Sequence, residues 1–229
     1  MSFTVADTIA FMLQRQRPRV HIVCPVNDEE TYQNVLLPSL ALNPHASLTK
    51  VEGAKSAAQA FNENVVKHPA GDITVLVHQD VYFPPGWTLR MEALFDNLRF
   101  GVAGCVGCSG QQIYADVYAN TKVYLDFNID KLPAKVDSLD ELVLVFPSDT
   151  AIRLDEELGW HMYGADACVK AKKLGQDSLV VKNQVVHYSK RTEFDTKFHA
   201  SAEIFKNKNP GPIKTTIITI HEDGRITSP

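Results

Sequence analysis

The chain has 229 residues, 45% of them hydrophobic, and sets 23 Lys+Arg against 27 Asp+Glu for a formal net charge of -4. That length supports one substantial core, and an acidic balance without a long basic run excludes non-specific attraction to nucleic acid. No stretch reaches the roughly 20 apolar residues that cross a bilayer, and the patch Thr8 to Leu13 precedes Arg15, Arg17 and Arg19, the reverse of a secretory signal; the expectation is a cytoplasmic protein with at most peripheral membrane contact.

In chain order, 1–19 reads as a short N-terminal helix closed by Pro18. Val20 to Cys24 is the first buried strand, and Pro25-Val-Asn-Asp-Glu-Glu30 follows as an acidic loop in which Asn27 or Asp28 caps a helix carrying Tyr32, Val35, Leu36 and Leu40. A weaker strand, Ser47 to Val51, ends at Glu52-Gly53-Ala54. Ser56 then opens an amphipathic helix through Phe61 and Val66, closed by His68-Pro69-Ala70-Gly71. Strand, loop and helix in alternation predict an α/β fold.

The next stretch, Asp72 to Trp87, organises the rest. Ile73 to Val77 is a short, mostly β-branched run without helical spacing, which predicts a strand buried on both faces of a parallel sheet. It stops at His78-Gln79-Asp80, and Pro84-Pro85-Gly86 turns the chain away. In open α/β sheets the carboxyl ends of strands form the ligand crevice, so two metal-binding residue types there are placed for chemistry. The competing reading is that Asp80 only caps a turn.

Beyond a helix over Trp87 to Leu98, Cys105 and Cys108 have C-x-x-C spacing within Gly-Val-Ala-Gly-Cys-Val-Gly-Cys-Ser-Gly. Half a zinc site and a redox pair fit that spacing, but without a second pair and with small flanking residues it reads as strand and turn packing. Gln111 to Lys135 predicts a long loop beside the site. An acidic lead, Asp137 to Glu141, enters a strand ending at Phe146. Asp166 falls in the opening turn of a helix stopped by Gly175, Leu179 starts a strand, and Gln184 to Ser189 is extended. The tail predicts a helix from Phe194 to Phe205 and a strand from Thr215 to His221, free to join a sheet edge within the chain or in a homodimer.

Together, from about Val20 to Ser189, these segments resemble a family 2-like glycosyltransferase of the GT-A fold. The resemblance is closest to a bacterial group with His-Gln-Asp in place of the commoner Asp-x-Asp. It implies one domain over 1–229, with 190–229 as a helix and strand extension. The activity implied is transfer of a sugar, with inversion, from a nucleotide-diphosphate sugar to a hydroxyl of a glycan or lipid-linked acceptor, in bacterial surface polysaccharide assembly. Uridine diphosphate is the default carrier.

The resemblance assigns nucleotide-sugar contacts to Pro25, Asn27, Asp28, Glu29, Glu52, Lys55, Asn62, His78, Gln79 and Asp80. It places Asp140, Glu141, Trp160, His161 and Tyr163 on the acceptor side, and makes Asp166 the catalytic base. Asp80 and His187 would hold a divalent cation that stabilises charge growing on the departing diphosphate. A carboxylate and imidazole set suits Mn²⁺ somewhat better than Mg²⁺. At a helix start Asp166 is expected to have a lowered pKa. A glycosyltransferase-like binding protein without turnover is the rival, favoured by His78. A nucleotidyltransferase would need a basic, glycine-rich loop where Pro25 to Glu30 is acidic.

Overall fold

A computed structural model describes residues 19–43, 46–119, 123–188, 196–223 and 225–227. The predicted N-terminal helix over 1–19 lies almost wholly outside them. The centre is a sheet of β1 (Val20–Val26), β2 (Ala46–Glu52), β3 (Ile73–Val77), β4 (Val102–Gly104), β5 (Ala134–Lys135), β6 (Val143–Pro147) and β7 (Ser178–Val180), in the order β5-β7-β4-β6-β3-β1-β2. β1 runs parallel to β2 and β3, and β7 parallel to β4, whereas β6 is antiparallel to both β3 and β4 and β5 is antiparallel to β7. The sheet is therefore mostly parallel by direction, with β6 and β5 reversed. β3 is flanked by one parallel and one antiparallel partner.

All five residues of β3 are buried. Alternation sends Ile73, Val75 and Val77 into one apolar cluster with Tyr32, Leu36, Trp87 and Met91, and Leu76 into another with Phe61, Phe146, Tyr163 and Ala167. Helices consequently cover both faces, and each fully buried Val or Leu contributes about 1.5–3 kcal/mol. The first helical run, α1 (29–40), starts at Asp28, whose carboxylate accepts from the Thr31 N–H and hydroxyl. It widens into a π turn over Tyr32–Leu36 just before Pro38, which cannot donate to the carbonyl four residues back. α2 (Ala57–Val65) is capped by Ser56, as the sequence predicts. Trp87, at the head of α3 (Trp87–Asn97), is buried and donates to the Asn183 carbonyl, which makes it core.

One expectation changes. Gln111 to Lys135 is no long loop: Gln112–Ala115 forms a hairpin with Val106–Ser109, and Val117–Ala119 pairs with Val123–Leu125 on one side and Val185–His187 on the other. Strands of three or four residues leave too little periodicity to be read from sequence. The tail strand pairs within the chain, Thr219–Ile220 lying between Ile213–Lys214 and Ile226–Thr227. The C-terminal helix, α5 (Thr196–Lys208), buries Phe198, Ala202 and Phe205 with Leu158, Met162 and Ile218, which closes one end of the domain. All four cysteines are buried and unbridged.

Candidate metal and nucleotide site

β3 delivers His78, Gln79 and Asp80 to its carboxyl end, and Val185–His187 crosses beside them by pairing with Val81–Tyr82. His187 Nε2 lies 3.4 Å from Asp80 Oδ2, and His78 Nδ1 lies 3.9 Å from Asp80 Oδ1. One donor atom from each of the three residues falls within 4.8 Å of the others. Asp80 Oδ1 is buried and has no hydrogen-bond partner. Burial works to raise the Asp80 pKa, but the hydrogen bond and charge of His187, with His78 adding, hold the carboxyl below its ordinary range. Burial works to lower His187 in turn, and Asp80 reverses this and raises it. Two imidazoles and one ionised carboxylate suit a divalent cation of the Mn²⁺ or Zn²⁺ kind.

Tyr163 backs this cluster. Its hydroxyl lies 2.7 Å from His78 Nε2 and donates to the Glu141 carbonyl at 3.1 Å. Tyr163 opens α4 (Tyr163–Lys173), whose preceding residue Met162 is left-handed and offers no side-chain cap. Glu141 takes that place. Burial pushes its carboxyl well above its ordinary range, Asp140 adds to the rise, and the amides of Gly164, Tyr163 and Met162 oppose it. Asp140 Oδ1 accepts from the Leu142 N–H and Oδ2 from the Thr216 hydroxyl.

On the β1 side, Gln79 clasps the acidic loop. Its Oε1 accepts from the N–H groups of Asn27 and Asp28, and its Nε2 donates to Asn27 Oδ1 at 2.7 Å. Lys50 bridges Glu29 and Glu52. The proposed nucleotide residues Pro25, Asn27, Asp28, Glu29, Glu52 and Gln79 thus form one rim at the ends of β1, β2 and β3. Lys55 stands just beyond, its N–H donating to Gln59 Oε1.

Three sequence candidates have partners within the fold. The Asn62 amide bonds both ways to Leu154, donating to its carbonyl and accepting from its N–H, each at 2.9 Å. His161 is buried with its ring edge-on to Phe198, on the side facing α5. Asp166 is 3% exposed, and its Oδ2 accepts from the Asp155 N–H and from Lys170 at 2.8 Å. Its pKa is raised, not lowered as expected. Burial outweighs the Lys170 and Asp155 hydrogen bonds, whatever the helix start contributes. Trp160 is 36% exposed. Tyr163 as the partner of His78 had no sequence signal.

A family profile described as a glycosyltransferase-like family matches residues 21–208, most of the chain and the whole of this site. The chain belongs to that family. Its fold is the GT-A fold of family 2-like glycosyltransferases. TarS of S. aureus superposes with a TM-score of 0.53 at 13% identity, covering 82% of this chain and 39% of TarS. A shorter TarS, residues 1–349 with UDP-GlcNAc bound, gives a TM-score of 0.53 at 11% identity, covering 82% of this chain and 66% of that one. A curated protein of Fuscovulum blasticum named "ATP synthase subunits region ORF 6" is 25% identical over 159 residues, 65% of this chain. This glycosyltransferase-like chain spans 64% of that relative. Among the described residues, no helix of it is long and apolar enough to cross a membrane.

Proposed function

We propose that the protein is an inverting, metal-dependent glycosyltransferase that moves a sugar from a nucleoside diphosphate sugar to an acceptor hydroxyl. The observation that carries this reading is the buried Asp80 Oδ1 without a hydrogen-bond partner, beside His187 at the carboxyl end of β3. A buried carboxylate oxygen left in that state costs about 1–3 kcal/mol or more unless a cation meets it. Asp80 and His187 would hold the cation, which when bound supplies Lewis-acid stabilisation of diphosphate charge. The clasp of Gln79 on Asn27 and Asp28 shapes the rim for base and ribose, with Glu29, Glu52 and Lys55 adjoining it. Family membership supports the donor class, and the UDP-GlcNAc bound to TarS makes a uridine carrier the first choice.

Displacement at the anomeric carbon needs a carboxylate to take the acceptor proton. Asp166 is our assignment. Both of its donors go to Oδ2, which leaves Oδ1 for a hydroxyl, and a raised pKa makes it a stronger base. Asp140, Glu141 and the exposed Trp160 would border the acceptor. A role in surface polysaccharide assembly at the cytoplasmic side of a bacterial membrane follows from the same reading. Calorimetric titration of UDP and GDP, with and without Mn²⁺, into wild type and Asp80→Asn tests it. Metal-dependent binding lost in the variant is the expected result; no binding of either nucleotide under any metal condition sinks the proposal. Binding without sugar transfer across a donor panel would favour the rival reading, a nucleotide-sugar binding protein.

A further inference from the structure

We infer that His78 is a third protein ligand of this site, through Nδ1, and that Tyr163 is the positioning residue that fixes the ring tautomer required. The inference rests on the metal reading above and deepens it. A neutral imidazole carries one N–H and one lone pair, and which nitrogen holds the proton is set by its partner. The Tyr163 hydroxyl has a single proton. Its contact with the Glu141 carbonyl, 3.1 Å away, can only be made by donating that proton, because a carbonyl cannot donate. The 2.7 Å contact with His78 Nε2 is then satisfied only if Nε2–H donates to the tyrosine oxygen. Nδ1 is left with the lone pair.

That lone pair is on the side of Asp80. Nδ1 and Asp80 Oδ1 stand 3.9 Å apart, and Oδ1 is the buried oxygen without a hydrogen-bond partner. In the neutral ring both atoms are acceptors, so a cation between them would meet a lone pair of each, and His187 Nε2, 3.4 Å from the other oxygen of Asp80, completes a two-nitrogen, one-oxygen set. A ligating histidine commonly gives its second N–H to an outer partner that fixes ring orientation. Here that partner is Tyr163, which is 2% exposed and has its ring packed in the core, so the phenol is rigidly placed. The residue that departs from the commoner Asp-x-Asp therefore retains a metal-directed atom while lowering the negative charge of the site.

The test uses the full-length, metal-free protein and Mn²⁺ itself, followed by the electron paramagnetic resonance signal of free Mn²⁺. His78→Ala is expected to weaken Mn²⁺ binding at least ~10-fold, and Tyr163→Phe, which keeps the ring packing, by roughly 10–100-fold, the range for outer-sphere partners. Histidine ¹⁵N spectra of the metal-free wild type should show His78 as the Nε2–H tautomer, with that preference lost in Tyr163→Phe. If Asp80→Asn abolishes Mn²⁺ binding while His78→Ala binds as wild type, or if Nδ1 carries the proton, this inference falls and the metal reading stands. If the wild type binds no Mn²⁺, both fall.

Discussion

The backbone N–H of Tyr188 donates to the Asp80 carbonyl at 2.8 Å, and that bond holds His187 beside Asp80. Strand pairing of His187 with Val81 on one side and Ala119 on the other fixes which way the imidazole faces. The site is thus preorganised by main chain, and Asp80 and His187, the proposed metal ligands, come from segments far apart in sequence.

Because the main chain does the positioning, His187→Gln should leave the fold intact and remove the imidazole alone. Mn²⁺-dependent UDP binding is expected to weaken beyond the ~10–100-fold typical of losing an outer partner. Calorimetry beside a thermal melt separates the two effects. Unchanged binding would remove His187 from the metal set.

Gly164 lets the head of α4 touch the Ser138–Leu139 strand. A Cβ there would lie 2.4 Å from the Leu139 carbonyl oxygen and 3.2 Å from Glu141 Cγ. Gly164→Ala must push α4 away, loosening Glu141 from the helix amides and Tyr163 from His78. Overpacking of this kind costs roughly 1–3 kcal/mol. Denaturant unfolding should show that loss together with weaker Mn²⁺ binding, and a wild-type midpoint would mean that the two elements are not in contact.

The organising stretch was legible because Ile73 to Val77 combines β-branching with an abrupt polar stop, and because Asp28 and Ser56 are local caps whose bonds span three residues. Asp80 beside His187 came only from a resemblance. The strands in 112–125 escaped detection since each has only three or four residues, and Val117–Ala119 also pairs with the remote Val185–His187. Burial is the other unreadable quantity. Sequence placed Asp166 at a helix start and so predicted a lowered pKa, whereas burial, against the Lys170 and Asp155 hydrogen bonds, reverses the sign. The Tyr163–His78 contact joins a helix to a strand end, and no spacing rule connects them.

Asn62 illustrates how the fold claims a residue that the resemblance gives to the nucleotide. Its side-chain amide makes a paired bond with Leu154 and also reaches Glu156 Oε1 at 3.1 Å, tying α2 to the segment before α4. Asn62→Ala leaves a Leu154 N–H and carbonyl unsatisfied, a loss of about 1–3 kcal/mol. The expected pattern is a lower unfolding midpoint with an unchanged nucleotide dissociation constant. A stable variant with weakened nucleotide binding would return Asn62 to the nucleotide site.

At the opposite end of β1, His21 bonds Asp72 through Nε2 at 2.9 Å and stacks on His68, with ring centroids 3.9 Å apart at 5°. Burial, then the charge of His21, lowers the His68 pKa from 6.5 to about 4. Since the unfolded chain takes this proton first, the contribution is present above pH 6.5 and is lost as pH falls toward about 4. Solvent screening leaves an effect of ~1 kcal/mol. His68→Phe keeps the stack and should flatten the stability slope across that window. Equal slopes in urea titrations of wild type and variant would reject the assignment.

Asp166 offers the sharpest separation between chemistry and architecture. Its carboxylate anchors Lys170 and the Asp155 N–H, and Asp155 in turn bonds Lys208 of α5 at 2.7 Å, so the same group joins α4 to the C-terminal helix. Asp166→Asn keeps the size and one acceptor oxygen but cannot take a proton at neutral pH. As the base, its loss should cut turnover by roughly a hundred- to ten-thousand-fold, with Mn²⁺ and nucleotide binding at wild-type strength. Lys170→Met removes the charge that Asp166 holds without removing the carboxylate. It should raise the Asp166 pKa further and move the acidic limb of the pH–rate profile upward, a shift that an architectural Asp166 would not produce. If Asp166→Asn turned over normally, the acceptor proton would have to go to Asp140 or Glu141, and Glu141, whose carboxyl is pushed well up by burial, would be the next to test.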